Sequence, residues 1–166
     1  MLSAVIAQPE EAQHLARSLA ALVPAAIEGM VREALVVGDR PSAEMQAVAE
    51  EAGAEFIACA RMEAALKTAR GDWLLLMEGG ARPVEGWIGE VREFLALSEG
   101  GAARFTPAGS RLQRLSAMFD RPRALRRGLL IRREEAVLAA RGASCLEALA
   151  RGRAARRIAA RMEPPA

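Results

Sequence analysis

The sequence of 166 residues is poor in the side chains that most catalytic and metal sites use. It contains one histidine, two cysteines and no tyrosine, and aromatic residues make up 4% of the chain. A single histidine cannot supply the usual catalytic triads or zinc ligand sets. Cys59 and Cys145 lie far apart in the sequence without metal-ligand spacing. We therefore expect reduced thiols in a cytosolic protein.

Several sequence motifs and segment types are also missing. No Gly-x-Gly-x-x-Gly follows the first predicted strand, which excludes an ordinary dinucleotide binder, and neither a Walker-type loop nor a nucleophile elbow is present. No apolar run is long enough to span a bilayer. The N-terminal sequence lacks the basic flank of a signal peptide, so we expect none. The scarcity of aromatic side chains argues against single-stranded nucleic-acid binding, and we do not expect nucleic acid as a partner.

Charge is divided unevenly along the chain, although its net value is only +2. Residues 1–103 carry a net charge of −8 and residues 104–166 a net charge of +10, almost all of it from arginine. A basic half indicates an anionic neighbour, such as a phosphate-bearing ligand or an anionic membrane surface. Arginine and leucine alternate between Arg111 and Leu130, a pattern that an interfacial helix would show. The alternative is a solvated basic face that pairs with the acidic half.

The hydrophobic pattern of the first half predicts strands and helices in strict alternation. Short apolar runs bounded by glycine, proline or acidic residues indicate buried strands, and apolar residues at helical spacing lie between them. The predicted strands are Leu2–Ala7, Ala34–Val37, Ala54–Ala58 and Trp73–Met77. We expect an α/β fold of three αβα layers around a mostly parallel, Rossmann-like sheet.

The second half carries weaker structural signals. Pro83–Leu97 is a predicted amphipathic helix, and Ser98–Gly101 is a flexible break. Beyond it we predict strands at Ala102–Phe105 and Gly128–Ile131, a helix over Ser110–Phe119 interrupted by Asp120–Pro122, and a last helix capped by Ser144 that runs through Leu146, Leu149 and Ile158. We expect one domain over residues 1–166, with a ligand-binding half at 1–97 and a reduced, arginine-rich half at 98–166.

Polar residues follow the predicted strands where an α/β sheet binds its ligands. Glu78 directly follows the predicted strand Trp73–Met77, and Asp39 comes just after the second predicted strand. Because ligands bind at the carboxyl ends of parallel strands, we expect Glu78, Asp39 and the nearby Arg61 to face one pocket for a phosphate-bearing ligand. The alternatives are structural: a solvated acid in a turn for Glu78, a helix cap for Asp39, and a surface ion pair with Glu63 or Glu55 for Arg61.

The order of these segments resembles the family 2 glycosyltransferases, which have the GT-A nucleotide-sugar-binding fold. The similarity covers about residues 2–97, and Gly128–Arg133 is similar to the strand after the family's acceptor loop. The matching segments are Ser3–Leu19 with the family's first strand, turn and helix; Val36–Asp39 with Val-Val-Asp-Asp; Ala47–Ile57 with the second helix and third strand; Ala60–Arg61 with Ala-Arg-Asn; and Gly71–Ile88 with Gly-Asp, a hydrophobic strand, Asp-x-Asp, Arg-Pro and Gly-Trp.

The resemblance implies a nucleotide-diphospho-sugar donor, often a UDP-sugar, and a divalent metal, Mn²⁺ or Mg²⁺. It places Asp39 at the base of the nucleotide, Arg61 near the base or the diphosphate, and Glu78 at the first position of the metal-binding Asp-x-Asp. Ala7, Gln8 and Glu11, in the segment of the first turn, complete the nucleotide-binding set that it implies.

The sequence departs from the family pattern at positions that carry chemistry. Gly80 replaces the second acid of Asp-x-Asp, and Gly38 replaces the first acid of the Asp-Asp pair. No Glu-Asp pair aligns with the usual catalytic base, and Glu147 is the only acid near its place.

Two functions follow as hypotheses: sugar transfer to an unknown acceptor, or an inactive GT-A scaffold that serves as an interaction or regulatory module. The arginine-rich end leaves a third option, a cytoplasmic protein peripheral to the inner face of the membrane.

Overall fold

The computed structural model describes residues 1–98, 100–108 and 123–165. The predicted helix over Ser110–Phe119 and its interruption at Asp120–Pro122 lie outside these ranges. The strands are β1 (Leu2–Ala7), β2 (Val31–Val37), β3 (Glu55–Ile57), β4 (Trp73–Glu78), β5 (Arg82–Pro83), β6 (Ala102–Pro107), β7 (Leu129–Arg132) and β8 (Ala155–Glu163). The α-helices are α1 (Ala12–Ile27), α2 (Ala43–Glu51), α3 (Met62–Thr68), α4 (Trp87–Leu97), α5 (Arg133–Ala140) and α6 (Leu146–Ala150), and short 3₁₀ helices span Cys59–Arg61 and Ala124–Arg127.

The eight strands form one sheet in the order β3-β2-β1-β4-β7-β6-β8-β5. The first four strands of that order run parallel. Strand β7 then pairs antiparallel with β4, and the remaining strands are a mixture of parallel and antiparallel neighbours. The predicted α/β class is confirmed, with a parallel half and a mixed half in one sheet.

The core lies in two layers, one on each face of the sheet. Alternate residues of a strand point to opposite faces, so Ile6 packs in one layer and its neighbour Val5 in the other. Helices α1, α2 and α4 cover the first face, and α3, α5 and α6 cover the second. This is the predicted three-layer αβα arrangement. No helix in the described ranges is long and apolar enough to cross a bilayer.

Helix α1 continues past a proline, Pro24. Pro24 lies inside the helix, which ends only at Ile27. Proline removes one helical hydrogen bond, but Leu22 and Ala25 on either side of it are buried against the sheet. Tertiary packing therefore holds the last turn in place. Gly29, at φ +71°, then makes the turn into β2.

The prediction of a last helix running through Ile158 is wrong. Helix α6 ends at Ala150, and Ala155–Glu163 forms β8, which lies between β6 and β5. Gly152 at φ +71° makes the turn that helical spacing alone does not reveal. Within β8 the buried residues Ala160 and Met162 alternate with exposed Arg161, which is a strand period. The arginines of this segment consequently stand on a strand.

Two smaller boundaries also differ from the prediction. The helix expected from Pro83 begins at Trp87, after Gly86 at φ +87°. Pro83 itself lies in β5 and pairs with Met162 of β8. Because a proline has no N–H to give to a ladder, it is suited to a short strand at the edge of a sheet.

Candidate functional site

The carboxyl ends of the three central parallel strands meet at one edge of the sheet. Ala7 of β1 is in register with Val37 of β2 on one side and with Glu78 of β4 on the other. Neighbouring strands are about 4.8 Å apart, so the residues that follow these three positions share a strip roughly 10 Å wide. Gln8 and Gly38 are the next residues on β1 and β2. This edge is where the sequence predicted a ligand.

Asp39 binds the backbone of the loop after β3. Its Oδ1 accepts the N–H of Cys59 at 2.8 Å, at the start of the 3₁₀ helix Cys59–Arg61. The cap of α2 is Ser42 instead, whose Oγ accepts the N–H of Met45 at 3.1 Å. Burial raises the pKa of the Cys59 thiol, and hydrogen bonding to the Asp39 carboxylate and its negative charge raise that pKa further.

Arg61 ends the same 3₁₀ helix but faces a different part of the surface. It lines a cavity of about 350 Å³ between β2, β3 and α3, together with Glu33, Glu55 and Arg70. The cavity lining includes neither Asp39 nor Glu78 among the residues described. Glu63, one of the two acids considered as a partner for Arg61, pairs with Arg141 at 3.5 Å.

Glu78 is held by two arginines from the basic half of the chain. Arg123 Nη1 donates to Glu78 Oε1 at 2.6 Å, and Arg126 Nε lies 3.5 Å from Glu78 Oε2. The Glu78 side chain is only 12% exposed, so it is not the solvated acid of the structural alternative. The hydrogen bond to Glu78 raises the pKa of Arg123, and the charge of Glu78 adds to that effect.

Close packing at Gly79 and a positive φ at Gly80 both disfavour a side chain directly after Glu78. A Cβ on Gly79 would lie 2.6 Å from Ala7 O and from Pro9 Cδ. Gly80 has φ +93°, and a Cβ there would lie 3.1 Å from Pro165 Cβ and 3.3 Å from His14 Cβ. A side chain at position 80, such as the second acid of Asp-x-Asp, would need a strained backbone and would crowd Pro165 and His14.

The side chains around Glu78 do not fit a divalent cation. Mn²⁺ and Mg²⁺ need several oxygen ligands, whereas both oxygens of Glu78 face guanidinium groups and position 80 offers no side chain. In the ranges that the structure describes, no three His, Cys, Asp or Glu residues are grouped so that they could hold a metal ion.

Glu147, the candidate base, is bound to the backbone of the second 3₁₀ helix. Its Oε1 accepts the N–H of Ala124 at 2.5 Å, and its Oε2 accepts the N–H of Leu125 at 3.1 Å. Arg104 donates to Ala124 O and, at 2.8 Å, to Ala150 O. Burial lowers the pKa of Arg104, and Arg127 lowers it further. The observed contacts of Glu147 are those of a helix cap.

The remaining candidates at the first turn lie near the edge with little side-chain chemistry. Ala7 O accepts the N–H of Gly79 at 3.0 Å. Gln8 Nε2 donates to Arg40 O at 3.0 Å. Glu11 is exposed at the N-terminus of α1 and accepts a hydrogen bond from Gln13. Their assignment to a nucleotide stays a prediction, as it does for Asp39, Arg61, Glu78 and Glu147.

Arginines of the basic half also serve the packing of the fold. The Arg132 guanidinium stacks 4.9 Å from the centre of the Trp73 ring, and that of Arg156 lies 4.4 Å from the centre of the Phe94 ring. Arg156 also donates to Ser98 Oγ at 2.6 Å. The interfacial helix proposed between Arg111 and Leu130 is wrong for its described part, because residues 124–127 form a 3₁₀ helix and Leu129 begins a buried strand.

The sequence did not identify Arg123 and Arg126 as the partners of Glu78. The register of strands β4 and β7 explains the contact. Strands β4 and β7 are antiparallel, with Leu76 opposite Leu129. Residues that follow Leu76 therefore lie beside residues that precede Leu129, which brings Glu78 to the 3₁₀ helix Ala124–Arg127. The pairing of β4 with β7 has to be known before this contact can be predicted.

Comparison with known proteins supports the fold but not a sequence family. No family model matches the chain, and no curated protein sequence matches it. Solved structures match with high probability at low identity. The chain is similar to glucosyl-3-phosphoglycerate synthase from Mycobacterium tuberculosis in complex with Mn²⁺, UDP and phosphoglyceric acid, with a TM-score of 0.59 and 15% identity over 81% of this chain and 56% of that one.

Two further structures give the same result. Mannosyl-3-phosphoglycerate synthase from Rubrobacter xylanophilus matches with a TM-score of 0.60 and 17% identity, covering 81% of this chain and 54% of that one. The Mycobacterium tuberculosis enzyme with Mn²⁺, UDP and glucosyl-3-phosphoglycerate matches with a TM-score of 0.62 and 15% identity, covering 100% and 71%. The first two matches span little more than half the length of those proteins. The predicted GT-A fold is confirmed.

Proposed function

We propose that the chain binds a nucleotide-diphospho-sugar, with a UDP-sugar as the first candidate, at the edge formed by the ends of β1, β2 and β4. The observation that carries the proposal is the combination of a GT-A fold with polar groups at that edge. Asp39, Gln8 and Glu78 follow or end three strands that are in register. Solved structures of similar fold contain UDP and, in two complexes, UDP-glucose.

The reaction that we propose is sugar transfer to an unknown acceptor. The bond between the anomeric carbon and the diphosphate oxygen breaks and UDP leaves with the electron pair, a bond to an acceptor oxygen forms, and the acceptor proton passes to water. Arg123 and Arg126, which lie beside Glu78, would stabilise the negative charge that develops on the departing diphosphate. Phosphoglycerate is the first acceptor to test, because the similar enzymes carry it in their names.

A catalytically inactive GT-A scaffold is the second candidate. Proton removal from an acceptor hydroxyl calls for a base within hydrogen-bond reach, and both oxygens of Glu147 bind backbone N–H groups instead. Gly80 has no carboxylate, and its surroundings leave little room for one. In this case nucleotide binding serves an interaction or regulatory role, or is absent.

A thermal-shift screen of nucleotides and nucleotide sugars tests the binding step. A ligand at 100 times its Kd stabilises the native state by about 2.7 kcal/mol, which raises the melting temperature measurably. UDP and UDP-glucose should raise it, and uridine should raise it less. Absence of a shift with every uridine, guanosine, adenosine, cytidine and thymidine nucleotide would overturn the proposal.

Transfer is tested separately from binding. UDP release from UDP-glucose is measured with and without 3-phosphoglycerate, using the full chain and a mass-spectrometric search for a glycosylated acceptor. Acceptor-dependent release of UDP supports the transferase. Saturable binding with no release above the rate in buffer, across a panel of phosphorylated and carbohydrate acceptors, supports the scaffold.

A further inference from the structure

The Glu78 carboxylate lies at the end of a buried strand and faces two positive charges. Strand β4 is fully covered on both faces, so Glu78 is fixed by a rigid element. Arg123 and Arg126 approach its two oxygens separately, at 2.6 and 3.5 Å. Glu10 and Glu147 also act on Arg123 through their negative charges, so Glu78 is not the only acid near this pair. The two guanidinium groups meet at the carboxyl end of β4.

We propose that Arg123 and Arg126, anchored on Glu78, take the place of a divalent metal ion and hold the diphosphate of the nucleotide ligand directly. This inference rests on the proposed function, since it names the cation that the donor site uses. Glu78 is then a positioning residue, which orients the two guanidinium groups, and is not a metal ligand. The site binds its nucleotide without Mn²⁺ or Mg²⁺.

Arginine has the chemistry for this role. A guanidinium group carries five N–H donors in a planar fork that matches two phosphate oxygens at once. The Arg123 side chain is 59% exposed even with Nη1 on Glu78, so it reaches the solvent at the edge. Arg126 is 28% exposed. A carboxylate that holds an arginine in place reduces the conformational entropy that the arginine loses when phosphate binds.

The backbone places these arginines independently of their contact with Glu78. They flank or belong to the 3₁₀ helix Ala124–Arg127, whose first two N–H groups are capped by Glu147. Gly128, at φ +55°, then leads directly into the buried strand β7. The register of β7 with β4 fixes the distance from this helix to Glu78. The loop therefore presents its arginines beside the carboxyl ends of the parallel strands.

The decisive measurement is the affinity for UDP in the presence and absence of metal. Isothermal titration with UDP and with uridine is carried out on the full chain, once in EDTA and once in Mn²⁺. We expect the Kd for UDP to agree within about twofold between the two conditions. Uridine, which lacks the diphosphate, should bind more weakly in both.

Arginine variants then identify the groups that bind the diphosphate. Arg123→Gln and Arg126→Gln should each weaken UDP binding about tenfold or more, as expected for loss of a charge-assisted hydrogen bond. Uridine affinity should stay within twofold. Arg123→Lys keeps the charge and should restore part of the lost affinity. Arg153→Gln, at an exposed arginine in the turn after α6, is the matched control and should leave the Kd unchanged.

Each result separates this inference from the proposed function. UDP binding that requires Mn²⁺ would overturn the inference that the arginines take the place of the metal, and would leave the proposed nucleotide-sugar function standing. Metal-free UDP binding that is equal in Arg123→Gln, Arg126→Gln and the control would also overturn it. Failure of all nucleotides to bind, with or without metal, removes the proposed function itself. Melting curves of the variants without ligand verify that each one folds. If Arg126→Gln does not fold, the comparison of Arg123→Lys with Arg123→Gln still tests the inference.

Discussion

The Gln8 side chain occupies the space that any side chain at position 38 would need. A Cβ built on Gly38 would lie 1.9 Å from Gln8 Oε1 and 2.4 Å from Gln8 Cβ. Position 38 is where the Val-Val-Asp-Asp pattern that the sequence resembles has its first acid. With Gln8 in this position, the structure leaves no room for a side chain at position 38.

We predict that Gly38→Ala destabilises the fold unless position 8 is also changed. Forcing a methyl group against Gln8 Cβ should cost about 1–3 kcal/mol, the usual range for overpacking. Gln8→Gly removes all three contacting atoms, so the double variant should show a coupling energy of about 1 kcal/mol or more. Urea unfolding of the four proteins in the cycle measures it.

Gly89→Ala is the matched control for this cycle. Gly89 lies in α4 with nothing within 4 Å of its Cβ position. Alanine in a helix is favoured over glycine by roughly 0.5–1 kcal/mol, so this variant should be stabilised. Additive effects at positions 8 and 38 would show that the two residues do not compete for the same space.

A second prediction concerns restoration of the Asp-x-Asp motif. Gly80→Asp should destabilise the chain by about 1–3 kcal/mol, because φ +93° is a conformation that residues with a Cβ rarely adopt. Pro165 and His14 leave little room for the side chain as well. The variant should gain no Mn²⁺-dependent rise in melting temperature.

Gly80→Ala separates the backbone strain from the chemistry of the new carboxylate. It should lose a similar amount of stability as Gly80→Asp, since both add a Cβ. A Mn²⁺-dependent stabilisation seen with aspartate and not with alanine would show that the edge accepts a metal after all, and would count against arginines as its replacement.

A third prediction assigns Glu147 a structural role. Glu147→Ala removes the acceptor of two backbone N–H groups and should lower the free energy of unfolding by about 1–2 kcal/mol, the usual cost of losing a cap. Glu147→Gln keeps an amide oxygen and should fall between the wild type and the alanine variant. Urea unfolding measures the difference, with exposed Glu93→Ala on α4 as the control. Unchanged stability in Glu147→Ala, combined with loss of sugar transfer, would instead support the catalytic base.

The sequence predicted the first half of the fold well because its strands are short apolar runs bounded by turn residues. Trp73–Met77, for example, needs no knowledge of its neighbours to be recognised. Strand β8 was missed because alanine and arginine favour helices, and Leu146 and Leu149 continue a helical spacing up to Gly152. Its strand character follows from its place between β6 and β5, which is a long-range property of the sheet.

The candidate site was predictable only as a set of strand ends. Asp39 and Glu78 stand where the alternation of strands and helices places them. Their observed partners, Cys59 N for Asp39 and Arg123 for Glu78, come from other segments of the chain. Sequence spacing carries no information about which of the 23 basic residues meets Glu78, because that depends on the antiparallel pairing of β7 with β4.

The last prediction uses the contact between Asp39 and Cys59 as a reporter for the proposed base site. Burial and Asp39 both raise the pKa of the Cys59 thiol above its ordinary value of 9.0. Asp39→Asn removes the negative charge, so the thiol should ionise at a lower pH in this variant than in the wild type. Iodoacetamide alkylation rates followed against pH, in a Cys145→Ser background, measure the midpoint.

The same contact determines the sign of a stability change in alkaline solution. The folded chain holds the Cys59 proton more tightly than the unfolded chain, so the free energy of unfolding should fall as the pH rises above about 9. The fall should be smaller in Asp39→Asn and absent in Cys59→Ala, relative to each protein at pH 7.

A saturating uridine nucleotide bound beside Asp39 should slow the alkylation of Cys59 in the wild type. Equal alkylation midpoints in wild type and Asp39→Asn would show that the carboxylate does not act on the thiol.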